Sequence, residues 1–352
     1  VIKQLRNNNN FILKEDFINL SDIFFGFNYI FRKKKFNIFY SQYKGWNLSE
    51  LIWKEFSISS NFQATLMGIL NYCFVKNMKV KKIKLKKVVD WFENTIIDKG
   101  WNMGFRKFYP KTETIGYQGY ALYRQFMCTH PSKSEYINKV IPEKIVVIGK
   151  IYKKMRREFC KDIKISVGPA LRFNHLFKYK HNFKKKYKVL VCLHLDKEAS
   201  RKIIENVKQT KFLKSGEKVF FRTHPAMPIS KIFSKRKIPS NFKELSGPFF
   251  KIVKDTKIII TTGASSSIIE GIISGCSVLM PATDNSAKYN LEYLKIPKEN
   301  FKLYNDVNEL DRKLNYFLNE KEGFIKKRIK KTNFFKKNLF ENITKRNLNI
   351  FT

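Results

Sequence analysis

Two short segments of the chain hold side chains suited to gripping an anion. In Phe220-Phe221-Arg222-Thr223-His224-Pro225 an apolar run ends in an arginine and a histidine just before a proline turn. A guanidinium grips phosphate oxygens with a planar fork, and an imidazole donates a hydrogen bond or a proton near neutral pH. In Thr261-Thr262-Gly263-Ala264-Ser265-Ser266-Ser267 a glycine separates an apolar run from a helical pattern that starts near Ser265. Glycine lets the backbone approach a ligand closely, and small hydroxyl residues leave the first N–H groups of a helix open to phosphate. Serine is also a preferred N-cap that needs no ligand, so both readings stand. Glu270, about one turn on, is placed to accept hydrogen bonds from a ribose, or simply to interact with the helix dipole.

These residues need a frame that carries them to one edge, and the second half of the chain reads as one. Strands are expected at Lys188–His194, Lys218–Arg222, Lys257–Thr261 and Ser277–Met280, with helices at Lys197–Phe212, Phe249–Lys254 and Ser265–Ser274 between them. Continuous apolar strands alternating with helices argue for a parallel sheet covered on both faces. In such a sheet ligands bind at the carboxyl ends of the strands, where Arg222, His224 and the serine loop would all emerge. The first half shows shorter strands at Lys84–Val89, Thr114–Tyr117, Ile145–Ile148 and Ile163–Val167, which predicts a second α/β domain. Ser132 and Glu135 have capping-box spacing and are expected to open a helix before Pro142. The expected domains are residues 1–172 and 188–352, joined by a basic linker at 173–187.

Composition narrows the partners. The 352 residues are 43% apolar and 15% aromatic, enough to bury a core in each domain, so a disordered polyelectrolyte is excluded despite a formal net charge of +41. Such a charge favours anionic partners, though a chain rich in Lys, Asn, Ile and Phe also fits an AT-rich genome. The Lys-aromatic mixing at Phe173–Lys188 motivates nucleic-acid binding as a rival, but no recognised binding motif accompanies it, and nucleic acid is not expected as a partner. Apolar runs stay far below the roughly 20 residues that span a bilayer, so membrane contact would be peripheral, on anionic lipid. No secretory signal opens the chain, and its start at Val1 suggests a truncated or processed N-terminus. Five widely separated cysteines, with no CxxC pair and no histidine at zinc spacing, predict reduced thiols in a cytoplasmic protein and no metal site. Cys192 and Cys276 lie in apolar runs and are expected to be buried.

An Arg-x-His-Pro element followed by serines at a helix start resembles bacterial sialyltransferases, polysialyltransferases, Kdo transferases of capsule synthesis and CDP-glycerol polyol-phosphate transferases. Trp91-Phe92-Glu93-Asn94, Gly104-Phe105-Arg106, Gly116-Tyr117-Gln118-Gly119, Val147-Ile148-Gly149-Lys150 and Gly168-Pro169-Ala170-Leu171-Arg172 add to a likeness that runs from about residue 85 onward. The resemblance implies the glycosyltransferase-B fold, two Rossmann-like domains facing a central cleft, with the first incomplete if the start is truncated. It implies a metal-independent inverting transfer of a sugar, such as a nonulosonic acid, from a CMP- or CDP-activated donor to a glycan or lipid-linked glycan acceptor of surface-polysaccharide synthesis. No cofactor beyond that co-substrate is expected. Carried across, His224 lies near the donor phosphate and Ser265, Ser266 and Ser267 hold it, with Arg222, Gly263 and Glu270 beside them. The relatives' acidic-acidic-Gly base element has no counterpart here. Glu93, at the end of a predicted strand, is the substitute general base, or else a structural partner of Lys99 or Arg106. Gln118 and Arg172 are expected substrate contacts. A polyol-phosphate transferase and a sugar-nucleotide 2-epimerase are the enzymatic alternatives.

Overall fold

The computed structural model describes residues 2–8, 10–33, 40–58, 62–121, 123–178, 181–233, 238–263 and 265–352. Ala264 of the serine loop and residues 179–180 of the expected linker lie outside them. Two parallel sheets organise the chain, preceded by a short hairpin of β1 (Gln42–Tyr43) and β2 (Trp46–Asn47). The first sheet has four strands in chain order, β3 (Lys87–Trp91), β4 (Glu113–Gln118), β5 (Lys144–Val147) and β6 (Lys164–Val167). The second has six: β7 (Tyr187–Cys192), β8 (Val219–Arg222), β9 (Phe242–Glu244), β10 (Thr256–Thr261), β11 (Ser277–Pro281) and β12 (Phe301–Tyr304). Their spatial order is β12-β11-β10-β7-β8-β9. That is the order of a doubly wound dinucleotide-type sheet, whose strand order reverses between β7 and β10 and leaves a crevice at their carboxyl ends.

The expected strands of both halves are present, with ends that coincide with the expectation or differ from it by at most three residues. The interior of the second sheet explains why they were legible. Val189, Val191, Ile258 and Ile260 face one wholly buried layer, and Leu190, Cys192 and Ile259 face the other. With both faces covered, every position reads as apolar. The helix expected at Lys197–Phe212 is broken in two, Lys197–Gln209 and Lys211–Lys214. Thr210 between them is extended, donates its hydroxyl to Val207 O at 2.6 Å and accepts from Leu213 N at 3.3 Å, so it ends one helix and caps the next. Ser132 accepts from Glu135 N and Glu135 from Ser132 N, at 3.2 and 2.7 Å, completing the expected capping box before the Lys133–Ile137 helix. Cys192 and Cys276 are buried, which pushes their thiols up to about 12 and about 11.

In the first domain the Phe62–Val80 and Ile96–Phe108 helices pack where Gly68 and Gly100 meet, and a Cβ on Gly100 would run into the Gly68 carbonyl. The Glu322–Leu339 helix carries the end of the chain back from the second domain to the first. Glu341 N donates to Ile148 O at 2.7 Å, Phe340 stacks on Phe173 at 4.3 Å, and Phe351 meets Tyr117 edge-on. One apolar core therefore runs through both domains. The seam between them carries polar bonds: Tyr123 Oη donates to Ser265 O at 2.6 Å, and Arg124 N to Asn290 Oδ1 at 3.0 Å.

Candidate functional site

The loops that follow β7, β8, β10 and β11 converge at the reversal point of the six-stranded sheet. His194 follows β7, His224 follows β8, the serine loop follows β10 and Asp284 follows β11. A cleft of about 300 Å3 opens on the His194 side of this edge, lined by His194, Lys202, Gly263 and Asp284 among others.

The two histidines are held alike. Asp196 N donates to His194 Nδ1, and Ala226 N donates to His224 Nδ1, each at 3.2 Å. With Nδ1 accepting, the proton of a neutral ring sits on Nε2, so both rings present an Nε2–H donor. Burial, followed by opposing effects of Asp196 and His224, lowers the His194 pKa from its ordinary value, which keeps that ring neutral. His224 is exposed at the carboxyl edge. Its neighbour Arg222 turns away, with Nη1 bonded to Gly247 O and its guanidinium 5.9 Å from the centre of the Phe249 ring.

Gly263 has φ +72°, a left-handed backbone that favours glycine, and a Cβ there would lie 2.8 Å from His194 Cδ2 and 2.9 Å from Nε2. Asp284 ties the loop down, accepting from Gly263 N and, at 3.0 Å, from Thr262 Oγ1. Ser265 is the N-cap of the Ser266–Ile273 helix. Its Oγ accepts from Ser267 N at 3.3 Å and lies 2.8 Å from Ser267 Oγ, while its carbonyl takes the Tyr123 hydroxyl. Capping thus occupies Ser265 and Ser267, and the Ser266 hydroxyl has no hydrogen bond among the described residues. Glu270 is buried, with Oε2 3.2 Å from Nε2 of His175. The ring of His175 stacks at a tilt on Phe250. The contact of His175 with Glu270 anchors the Leu171–Leu176 turn to the helix behind the serine loop.

On the opposite domain, Glu93 is exposed just past the carboxyl end of edge strand β3 and accepts from Trp91 Nε1 at 3.0 Å. Neither Lys99 nor Arg106 pairs with it; they reach Glu135 at 2.6 Å and Glu143 at 3.8 Å instead. That corrects the expected structural pairing of Glu93. Gln118 is wholly buried. Its Oε1 accepts from Arg156 Nε at 2.7 Å and its Nε2 donates to Thr129 O at 3.2 Å, so both ends of its amide are engaged inside the protein and a direct substrate contact is corrected to a supporting role. Arg172 is exposed in the Leu171–Leu176 turn, 5.8 Å from the ring of Phe173. Sequence reasoning missed His194, Lys202 and Tyr123. The available signal for His194 was its place at the end of the domain's first strand, just before the Asp196 helix cap. Among the described residues no group of three His, Cys, Asp or Glu side chains comes together to hold a metal, and no helix is long and apolar enough to cross a membrane.

No protein-family model matches the sequence, and no curated protein matches it. Solved structures do. One is Arabidopsis thaliana UGT89C1 complexed with UDP, with a TM-score of 0.52 and 10% identity over 81% of this chain and 77% of that one. Another is a protein assigned as a UDP-N-acetylglucosamine 2-epimerase from Listeria monocytogenes, with a TM-score of 0.50 and 12% identity over 82% of each chain. The likeness is one of fold, and it bears out the two-domain glycosyltransferase-B architecture expected from the sequence.

Proposed function

We propose that the protein is a nucleotide-sugar-dependent glycosyltransferase whose second domain binds the donor. The observation that carries this reading is that His194, packed against Gly263, and its electrostatic neighbour His224 stand with the serine loop at the reversal point of the sheet, each ring held through Nδ1. A departing phosphate gains charge as the glycosidic bond breaks, and preorganised hydrogen-bond donors favour that charge. In this reading His224 and Ser266 contact the donor phosphate, His194 supports the near side of Gly263, and Ser265 shapes the loop. Glu93 takes the proton of the acceptor hydroxyl, and alignment of the two substrates across the seam supplies the rest.

Within that class the Arg-x-His-Pro and serine elements favour a CMP- or CDP-linked donor, a nonulosonic acid as the sugar, and a surface-glycan acceptor, with the basic chain resting on anionic membrane. A sugar-nucleotide 2-epimerase is the second reading, favoured by the fold shared with the Listeria protein. Thermal shifts with CMP, CDP, UMP, UDP, GDP and ADP, on the native chain and on His224→Ala, test the proposal. Selective stabilisation by cytidine nucleotides, lost in the variant, is expected. Stabilisation by uridine nucleotides moves the weight to a uridine-linked donor or the epimerase, which product analysis separates. No response to any nucleotide refutes the donor site.

A further inference from the structure

Arg156 ends the Lys150–Arg156 helix, which follows β5, and is wholly buried. Its Nε donates to Gln118 Oε1, but Nη1 and Nη2 have no hydrogen-bond partner among the described residues. Those two nitrogens form the end of the guanidinium that meets a carboxylate or phosphate with two parallel bonds. Among the described residues no carboxylate is ion-paired or hydrogen-bonded to it. Its strongest electrostatic neighbours are the phenols of Tyr120, Tyr152 and Tyr293 and the thiol of Cys128, and none of them is a carboxylate. Burial lowers its pKa only to about 10, so the group stays cationic at neutral pH. A buried cation without an opposite charge is costly, and a bound anion would offset that cost.

Its position matters as much as its charge. Gln118 ends β4, so Arg156 lies at the carboxyl edge of the first sheet, where open α/β sheets bind ligands. Tyr293, from the other domain, is among its electrostatic neighbours, and Tyr152 acts electrostatically on both Arg156 and Tyr123, whose hydroxyl bonds the serine loop. On the other side Tyr120 feels both Arg156 and Glu93. An anion on Arg156 would lie between Glu93 and the serine loop.

We propose that Arg156 is the anion receptor of the first domain, taking a phosphate or carboxylate borne by the acceptor, with Gln118 as the positioning residue that turns the fork toward it. The identity of that ligand as an acceptor rests on the transferase reading; the anion site does not. Because Arg156 is sealed in this arrangement, binding requires the seam to part.

Inorganic phosphate and sodium acetate, titrated at constant ionic strength with chloride as the control, serve as probes, with thermal shift as the readout. Native protein, Arg156→Met, Arg156→Lys and His224→Ala are compared. The expected result is saturable stabilisation of the native protein and of His224→Ala, weakened about tenfold or more in Arg156→Met, with Arg156→Lys intermediate because it keeps the charge and loses the fork. A response to phosphate alone assigns a phosphate-bearing ligand, and a response to acetate alone a carboxylate. Ligand-free Arg156→Met should melt no lower than the native protein, since it removes an unpaired buried charge. No response in the native protein, or equal responses in native and Arg156→Met, overturns the proposal. If Arg156→Met does not fold, native affinity in Arg156→Lys overturns it. Failure of the nucleotide panel leaves this result standing, because that panel reports on the other domain.

Discussion

Replacing Gly263 with alanine tests the geometry of the candidate donor loop. An alanine held at φ +72° costs about 1–2 kcal/mol from its left-handed backbone. Its Cβ would also stand 2.8 Å from His194 Cδ2, so the ring must swing away and give up the bond that Nδ1 accepts from Asp196 N, worth about 1 kcal/mol. The sum is about 2–3 kcal/mol. Urea unfolding with linear extrapolation measures it on the full chain. The same substitution made in His194→Ala should cost only the backbone part, leaving a coupling of about 1 kcal/mol between the two sites. Nucleotide affinity should fall along with stability, since the displaced ring borders the cleft. A loss well under 1 kcal/mol in the native background, or the same loss in both backgrounds, would refute the claimed contact between loop and ring.

The serines separate by role. Ser265→Ala should cost about 1 kcal/mol of stability through the lost N-cap, while Ser266→Ala should leave unfolding unchanged and weaken nucleotide binding; the reverse pattern would exchange their assignments. Tyr123→Phe removes the hydroxyl bonded across the seam to Ser265 O and should lower stability by about 1 kcal/mol, read by urea unfolding, and an unchanged midpoint would show that this bond does not help hold the domains together. His130 is buried, which with the charge of Arg156 brings its pKa down to about 4. A histidine depressed in the folded state contributes stability that is complete above its unfolded pKa near 6.5 and is lost as pH falls toward 4. Asp90, raised by burial to about 7, contributes stability with the opposite dependence: it is complete below its unfolded pKa near 3.8 and is lost as pH rises toward 7. The difference between the native chain and His130→Gln is therefore the informative quantity, and it should shrink between pH 6.5 and 4. A difference independent of pH would mean that His130 is not held neutral.

Much of the second domain could be read from sequence because its interior strands are buried on both faces, so that Leu190 and Val191, or Ile259 and Ile260, are apolar whichever way they point. The turn chemistry was local as well: glycine at a left-handed position and serine at a helix start need only their neighbours to be recognised. Edge strands gave no such signal. In Phe242-Lys243-Glu244 and Phe301-Lys302-Leu303-Tyr304 lysine and apolar residues mix, because each strand has a sheet neighbour on one side only. Partner choice was decided by tertiary structure alone. Nothing local tells Glu270 to meet His175, Gln118 to turn inward to Arg156, or Phe340 to cross back onto Phe173, since those contacts join residues that only the folded chain brings together. The residue types available at the strand ends, and thus the chemistry open to the protein, were written in the sequence. Which of them face the cleft, which cap a helix and which are sealed beneath the seam depended on how the two sheets pack, because burial and pairing are properties of the whole fold.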